Sequence, residues 1–138
     1  MITVKKEIAV EDLLNEQEIH LLGLQALVPW LESRHYKIDY LQPDKYAVPH
    51  IFALSGSILT VIVVAVDMYP HKGVVTDIAK AAALKVAGEM NALCAMASIG
   101  LVNVDGVAAA DKNILGKPAR NGHFKADFGG LQYIHFEN

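Results

Sequence analysis

One cysteine in 138 residues leaves several classes of protein without support. A single thiol, Cys94, cannot close an internal disulfide, which points to a reducing compartment and hence to the cytoplasm. The histidines at 20, 35, 50, 71, 123 and 135 have no second cysteine to join and show no HExxH spacing, so neither a metal site nor a cofactor is expected. No apolar run approaches the ~20 residues of a membrane-spanning helix; the longest, 58–66, is about half that and rich in β-branched residues. A charge excess is also missing. The net charge of −3 argues against broad capture of nucleic acid or of an anionic membrane. The opening stretch MITVKKEIAVEDLL has two lysines and then turns acidic, without the apolar core of a signal peptide, so no secretory leader is expected.

What is present is hydrophobic. Apolar residues make up 53% of the chain, enough for a packed core and far from the composition of a disordered segment. The length fits one domain over 1–138, with no repeat, linker or low-complexity tract.

Residues 15–36 have a helical period, with Ile19, Leu22, Ala26, Leu27, Trp30 and Leu31 on one face. Asn15 is placed to cap this helix, Glu16 and Glu18 complement its dipole, and Pro29 predicts a kink or restart. Residues 37–41 alternate as a short strand, and 42–49 with two prolines form a loop. A hairpin follows, IFAL and ILTVIVVAV joined at Ser55, Gly56 and Ser57. Its second arm has no alternation, which predicts a central strand buried on both faces. Thr76 caps a second helix reaching to about Leu93, with Ile78, Ala82, Val86, Met90 and Leu93 as its apolar stripe. This places Cys94 at the C-terminal pole of a helix, where a thiol is not activated. Residues 95–104 form a further strand ending at Asp105-Gly106. Residues 106–122 read as loop with one short helical turn, and LQYIHF as a strand or docking tail.

The order helix, three strands, helix, strand resembles the core of the restriction-endonuclease-like, or PD-(D/E)XK, superfamily over residues 15–104. The landmarks are Glu16 or Glu18 in the first helix, His35-Tyr36-Lys37-Ile38 leading into the first strand, and Val48-Pro49-His50-Ile51 where that family opens its second strand with Pro-Asp. The resemblance implies an α/β fold with a three-layer core: a central mixed sheet flanked by helices, ordered αβββαβ, with a C-terminal extension. It also implies a third-strand carboxylate followed two residues later by a lysine. This chain has Ile62, Val63 and Val64 there, or Ala65, Val66 and Asp67 further along, and Tyr69 where the lysine would follow Asp67. Hard cations such as Mg²⁺ need oxygen ligands, which Val and Ile do not supply. The standard nuclease site is therefore expected to be absent.

The remaining candidate residues are few. Glu16, Glu18, His50 and Asp67 are the groups that a displaced catalytic site would recruit: two carboxylates of the first helix, an imidazole at a strand start, and a carboxylate at a strand end. Each also has a plain structural role, as helix-dipole partner, hydrogen-bonded loop edge or turn former. Lys112, Lys117, Arg120, His123 and Lys125 form a basic stretch without an acidic residue, a candidate for weak phosphate contact or a solvated loop. LGKPARNG within it is not a phosphate-binding loop, because it lacks the GxxxxGK[ST] spacing.

The expected function is a catalytically inactive, nuclease-like binding or assembly module. A homodimer is one partner, nucleic acid a weak one, and a membrane none. The alternatives are a small α/β chaperone-like adaptor and a divalent-metal-dependent nuclease with migrated site residues.

Overall fold

The computed structural model describes residues 12–135. The opening segment read for a signal peptide falls almost wholly outside the described residues. Ten elements follow in order: α1 (Glu16–Ser33), β1 (Lys37–Leu41), β2 (Ile51–Ser55), β3 (Ile58–Met68), α2 (Asp77–Glu89), β4 (Leu93–Asn103), α3 (Asp105–Ala108), α4 (Lys112–Leu115), β5 (Phe124–Phe128) and β6 (Gln132–Ile134).

α1 begins in a reciprocal cap. The Asn15 side chain accepts the Glu18 amide at 2.8 Å, and Glu18 Oε1 accepts the Asn15 amide at 3.2 Å. The helix runs through Pro29 to Ser33 without a restart. It ends three residues earlier than its apolar spacing predicts. Tyr36 donates to the Leu31 carbonyl and His35 to that of Glu32, with His35 in the left-handed region at φ 68°. This is a Schellman turn built on histidine in place of glycine. α2 ends the same way on Asn91 (φ 53°), with Ala92 donating to Ala87 and Asn91 to Gly88. Its last helical residue is therefore Glu89, and Leu93 and Cys94 belong to β4.

The sheet is mixed, open and six-stranded, in the order β1-β2-β3-β4-β5, with β6 also on β4. β2 pairs antiparallel with β1 on one side and with β3 on the other. Ser55 pairs with Ile58 across a two-residue turn, where Gly56 takes the positive φ (60°) that such a tight turn demands. β3 and β4 are parallel, joined through α2, as parallel neighbours require a crossover. β5 and β6 share the far side of β4, pairing antiparallel with 99–103 and 94–96.

β3 is buried on both faces, as its unbroken apolarity predicts. Ile62 and Val64 face Leu24, Leu27 and Leu31 of α1. Val61 and Val63 face Ala83 and Ala87 of α2. The helices thus cover opposite sides of the sheet. The stripe of α2 is rotated from its predicted face, whereas on α1 Ile19, Leu22, Leu27, Trp30 and Leu31 all pack against the core as predicted. On α1 the buried set is His20, Gly23, Leu24, Leu27 and Leu31, while Ala26 is exposed. On α2 it is Ala83 and Ala87, while Ile78 is 85% exposed. Small side chains let α2 sit close to the valines of β3, and the larger Ile78 and Met90 are left outside.

The last third departs most from expectation. Two short helices replace the single turn, and FKADF, to which the sequence reading assigned no element, is the strand β5. Among the described residues no helix is long and apolar enough to cross a membrane.

Candidate functional site

Where β2 begins, β3 has no further strand partner on that side among the described residues, and the 42–50 loop swings out toward the start of α1. This leaves a cleft of about 680 Å³. The loop is held by the first turn of α1. Gln17 accepts the Lys45 amide at 2.9 Å and donates to the Pro43 carbonyl at 2.6 Å. Glu16 Oε2 takes both Lys45 Nζ at 3.2 Å and the Tyr46 hydroxyl at 2.8 Å. Those two bonds, the tyrosine's first, hold the Glu16 carboxyl below its usual pKa range. The loop's base is closed by Gln42 donating to the His50 carbonyl at 2.7 Å.

His50 is buried and fully engaged. Its Nδ1 accepts the Val64 amide at 2.9 Å, so the ring proton sits on Nε2, which donates to the Lys45 carbonyl at 2.8 Å. Burial lowers its pKa, with the bond to the Lys45 carbonyl acting the other way. Neither nitrogen has a lone pair left for a metal or a substrate proton. The His50 ring stacks at a tilt on His20, 4.5 Å between centroids. His20 is itself buried, and among the described residues no group bonds either of its ring nitrogens.

Of the four candidate site residues, Glu16, His50 and Asp67 line this cleft; Glu18 does not. Glu18 binds the Arg120 guanidinium through both carboxylate oxygens and closes the cap on Asn15. Asp67 is exposed, its Oδ1 accepting the Met68 amide at 2.7 Å. The facing wall is hydrocarbon, from Val63, Val64 and Ala65 of β3 to Ala79 and Ala82 of α2. Among the described residues no three His, Cys, Asp or Glu side chains are grouped to hold a metal ion. Cys94 is buried in β4, and burial raises its thiol pKa, the inert arrangement.

The basic stretch is not one patch. Arg120 is tied to Glu18 and to the Leu13 carbonyl, and His123 to Asp105 at 2.9 Å. Lys125 lies on β5, and Lys117 uses its carbonyl to accept Asn103 Nδ2.

Two features escaped the sequence reading. His20 sits on the buried stripe four, seven and eleven residues before Leu24, Leu27 and Leu31, a spacing that would have found it. The open flank of β3 was legible in the mismatch between a five-residue β2 and an eleven-residue β3 around a tight turn.

No curated protein and no solved structure matches the chain. A family model described as "Domain of unknown function (DUF8840)" matches residues 17–134, and the chain belongs to that family.

Proposed function

We propose that this protein is a catalytically silent, restriction-endonuclease-like domain that works as a binding module through the cleft beside β3. Two features support the likeness. The sheet runs β1 to β5 in chain order with β2 antiparallel, and β4 returns parallel to β3 after α2. Helices cover both faces.

The observation that carries the functional reading is the chemistry of the cleft. It lies at the start of β2 and along β3, the positions that the resemblance gives to a metal-binding carboxylate set. Its wall there is Val63, Val64 and Ala65, and the Pro-Asp position holds His50 with both nitrogens spent. Hydrocarbon walls bind apolar groups and do not hold Mg²⁺. A concave, largely apolar site with a few polar groups at its rim is the usual form of a binding pocket.

The test is incubation of the purified chain with single-stranded DNA, duplex DNA and RNA in Mg²⁺ or Mn²⁺. Cleavage should not exceed that of the Glu16→Ala/Asp67→Ala double variant. Metal-dependent cleavage that disappears in the double variant would put the migrated-site nuclease in place of this reading. Homodimerisation belongs to the same reading and is checked by sedimentation equilibrium.

A further inference from the structure

The cleft has an edge of unpaired backbone. β2 accompanies β3 only over 58–62, whereas β4 pairs with it from Thr60 to Met68. Beyond Ile62, no strand among the described residues lies on the side of β3 away from β4. Two hydrogen bonds fix which groups point there. The Val64 amide reaches His50 on the open side, and the Tyr69 amide reaches the Leu101 carbonyl of β4 at 2.8 Å. Strand residues alternate, so Val64, Val66 and Met68 turn their N–H and C=O groups outward, and the residues between them face β4. His50 caps the Val64 amide, and Asp67 caps that of Met68. Among the described residues nothing pairs with the Val66 N–H or with the carbonyls of Val64 and Val66.

The cleft's lining agrees. Residues 63–67 all border it, although neighbours in a strand point to opposite faces. Such a consecutive run borders a space through the edge it shares. Around that edge stand exposed apolar side chains, Val74 at 82% and Ile78 at 85% exposure.

We propose that an extended segment of a partner protein, apolar at alternate positions and carrying a lysine or arginine, adds as a strand to the open edge of β3 in this cleft. The proposal rests on reading the cleft as a binding site. Main-chain bonds to Val66 and to the Val64 carbonyl supply affinity, and alternate side chains meet Ile19 on one side and Ala79 and Ala82 on the other. The basic residue follows from charge. Lys45 is already paired with Glu16, while Asp67 makes no ion pair among the described residues, so the unbalanced charge of the cleft is negative. That charge disfavours a phosphate backbone. At about 3.3 Å per residue the open stretch accommodates a segment of roughly four to six residues.

The probe is the end-blocked, fluorescein-labelled peptide KVTVTV, with two forms N-methylated at alternate amides in opposite registers. Saturable binding is expected, with hydrogen exchange of the Val66 amide slowed about tenfold or more. One methylated register should bind about tenfold more weakly, and the other should bind as the parent does. Ile78→Asp changes an exposed side chain, so it should weaken binding about tenfold while the melting temperature holds. Absence of Val66 protection at saturating peptide, or equal loss in both registers, overturns strand addition and leaves the catalytically silent reading untouched. That reading fails by a different signal, metal-dependent cleavage. A concentration-dependent dimer that protects Val66 and is lost in Ile78→Asp would give the cleft to a second copy. Protection by short single-stranded DNA would give it to nucleic acid. Either result overturns the proposal.

Discussion

His20 and His50 meet ring to ring at 4.5 Å in an interior where each is 1% exposed. His50 is bracketed by backbone on both nitrogens, whereas among the described residues neither nitrogen of His20 has a partner. Burial, then the neighbouring His50 and Lys45, holds the His20 pKa at about 4, with Asp44 alone opposing. His50 is displaced in the same direction, chiefly by burial. A histidine whose folded pKa is depressed is protonated first in the unfolded chain. Its contribution is complete above about pH 6.5 and is lost as the pH falls toward 4. The melting temperature should therefore be level near neutrality and fall across that window. His20→Leu should flatten the fall, and it should raise the neutral-pH melting temperature by about 5 °C by removing two unsatisfied nitrogens. Parallel pH profiles for the two proteins would refute this account.

Val63 lies on β3 against α2 and is 1% exposed. Val63→Asp buries a carboxylate among hydrocarbon, at a cost of several kcal/mol, on the order of a small domain's whole stability. Circular dichroism should show a largely unfolded chain or a melting temperature lowered by tens of degrees. A shift of only a few degrees would mean that the site opens to water.

Gly73 lies over the backbone of β3. A Cβ there would stand under 3 Å from the Ala65 carbonyl group, which cannot swing away as a side chain would. Gly73→Ala should force the 69–76 connection off the strand and cost about 1–3 kcal/mol. Thermal melts measure the loss, and limited proteolysis should locate new cutting within that connection. An unchanged melt would show that the connection yields freely.

Duplex DNA should bind weakly. Arg120 is committed to Glu18, so Lys112, Lys117 and Lys125 are the residues of that stretch that remain for phosphates. Each contact adds about 0.9 to the logarithmic salt slope, for a limit near 2.7. Anisotropy titrations at several salt concentrations should show binding vanish near physiological ionic strength, with Lys117→Ala and Lys125→Ala removing much of the remainder. Tight binding at that ionic strength would reveal a positive face elsewhere.

The sequence was most legible where one local signal decided the structure. Asn15 and Thr76 cap helices because their side chains reach the amides three residues on. The Ser55-Gly56-Ser57 turn and the unbroken apolarity of β3 fixed the hairpin and its central place. Helix ends were misread because His35 and Asn91 take the left-handed position that glycine usually marks. The buried face of α2 was misread because alanines, not the larger Ile78 and Met90, meet the sheet. FKADF was missed because Gly122, Gly129 and Gly130 around it read as loop, and its pairing with β4 is non-local. Glu16, His50 and Asp67 were picked as strand-end or helix-start groups, and they do border one cleft. The bonds that occupy His50 come from Val64 and Lys45, which no spacing rule connects to it.

Glu18 and Arg120 stand 102 positions apart in the chain, and beside them Leu14 donates to the Pro118 carbonyl while Leu13 bridges to Ala119. The first helix therefore receives its final clamp from a segment that leaves the ribosome late. Closing so long a loop is entropically slow, so the start of α1 should be among the last regions to become fixed. A chain ending before Lys117 would lose more than β5 and β6. It would release the turn whose Glu16 and Gln17 anchor the 42–50 loop, and the cleft would lose its rim.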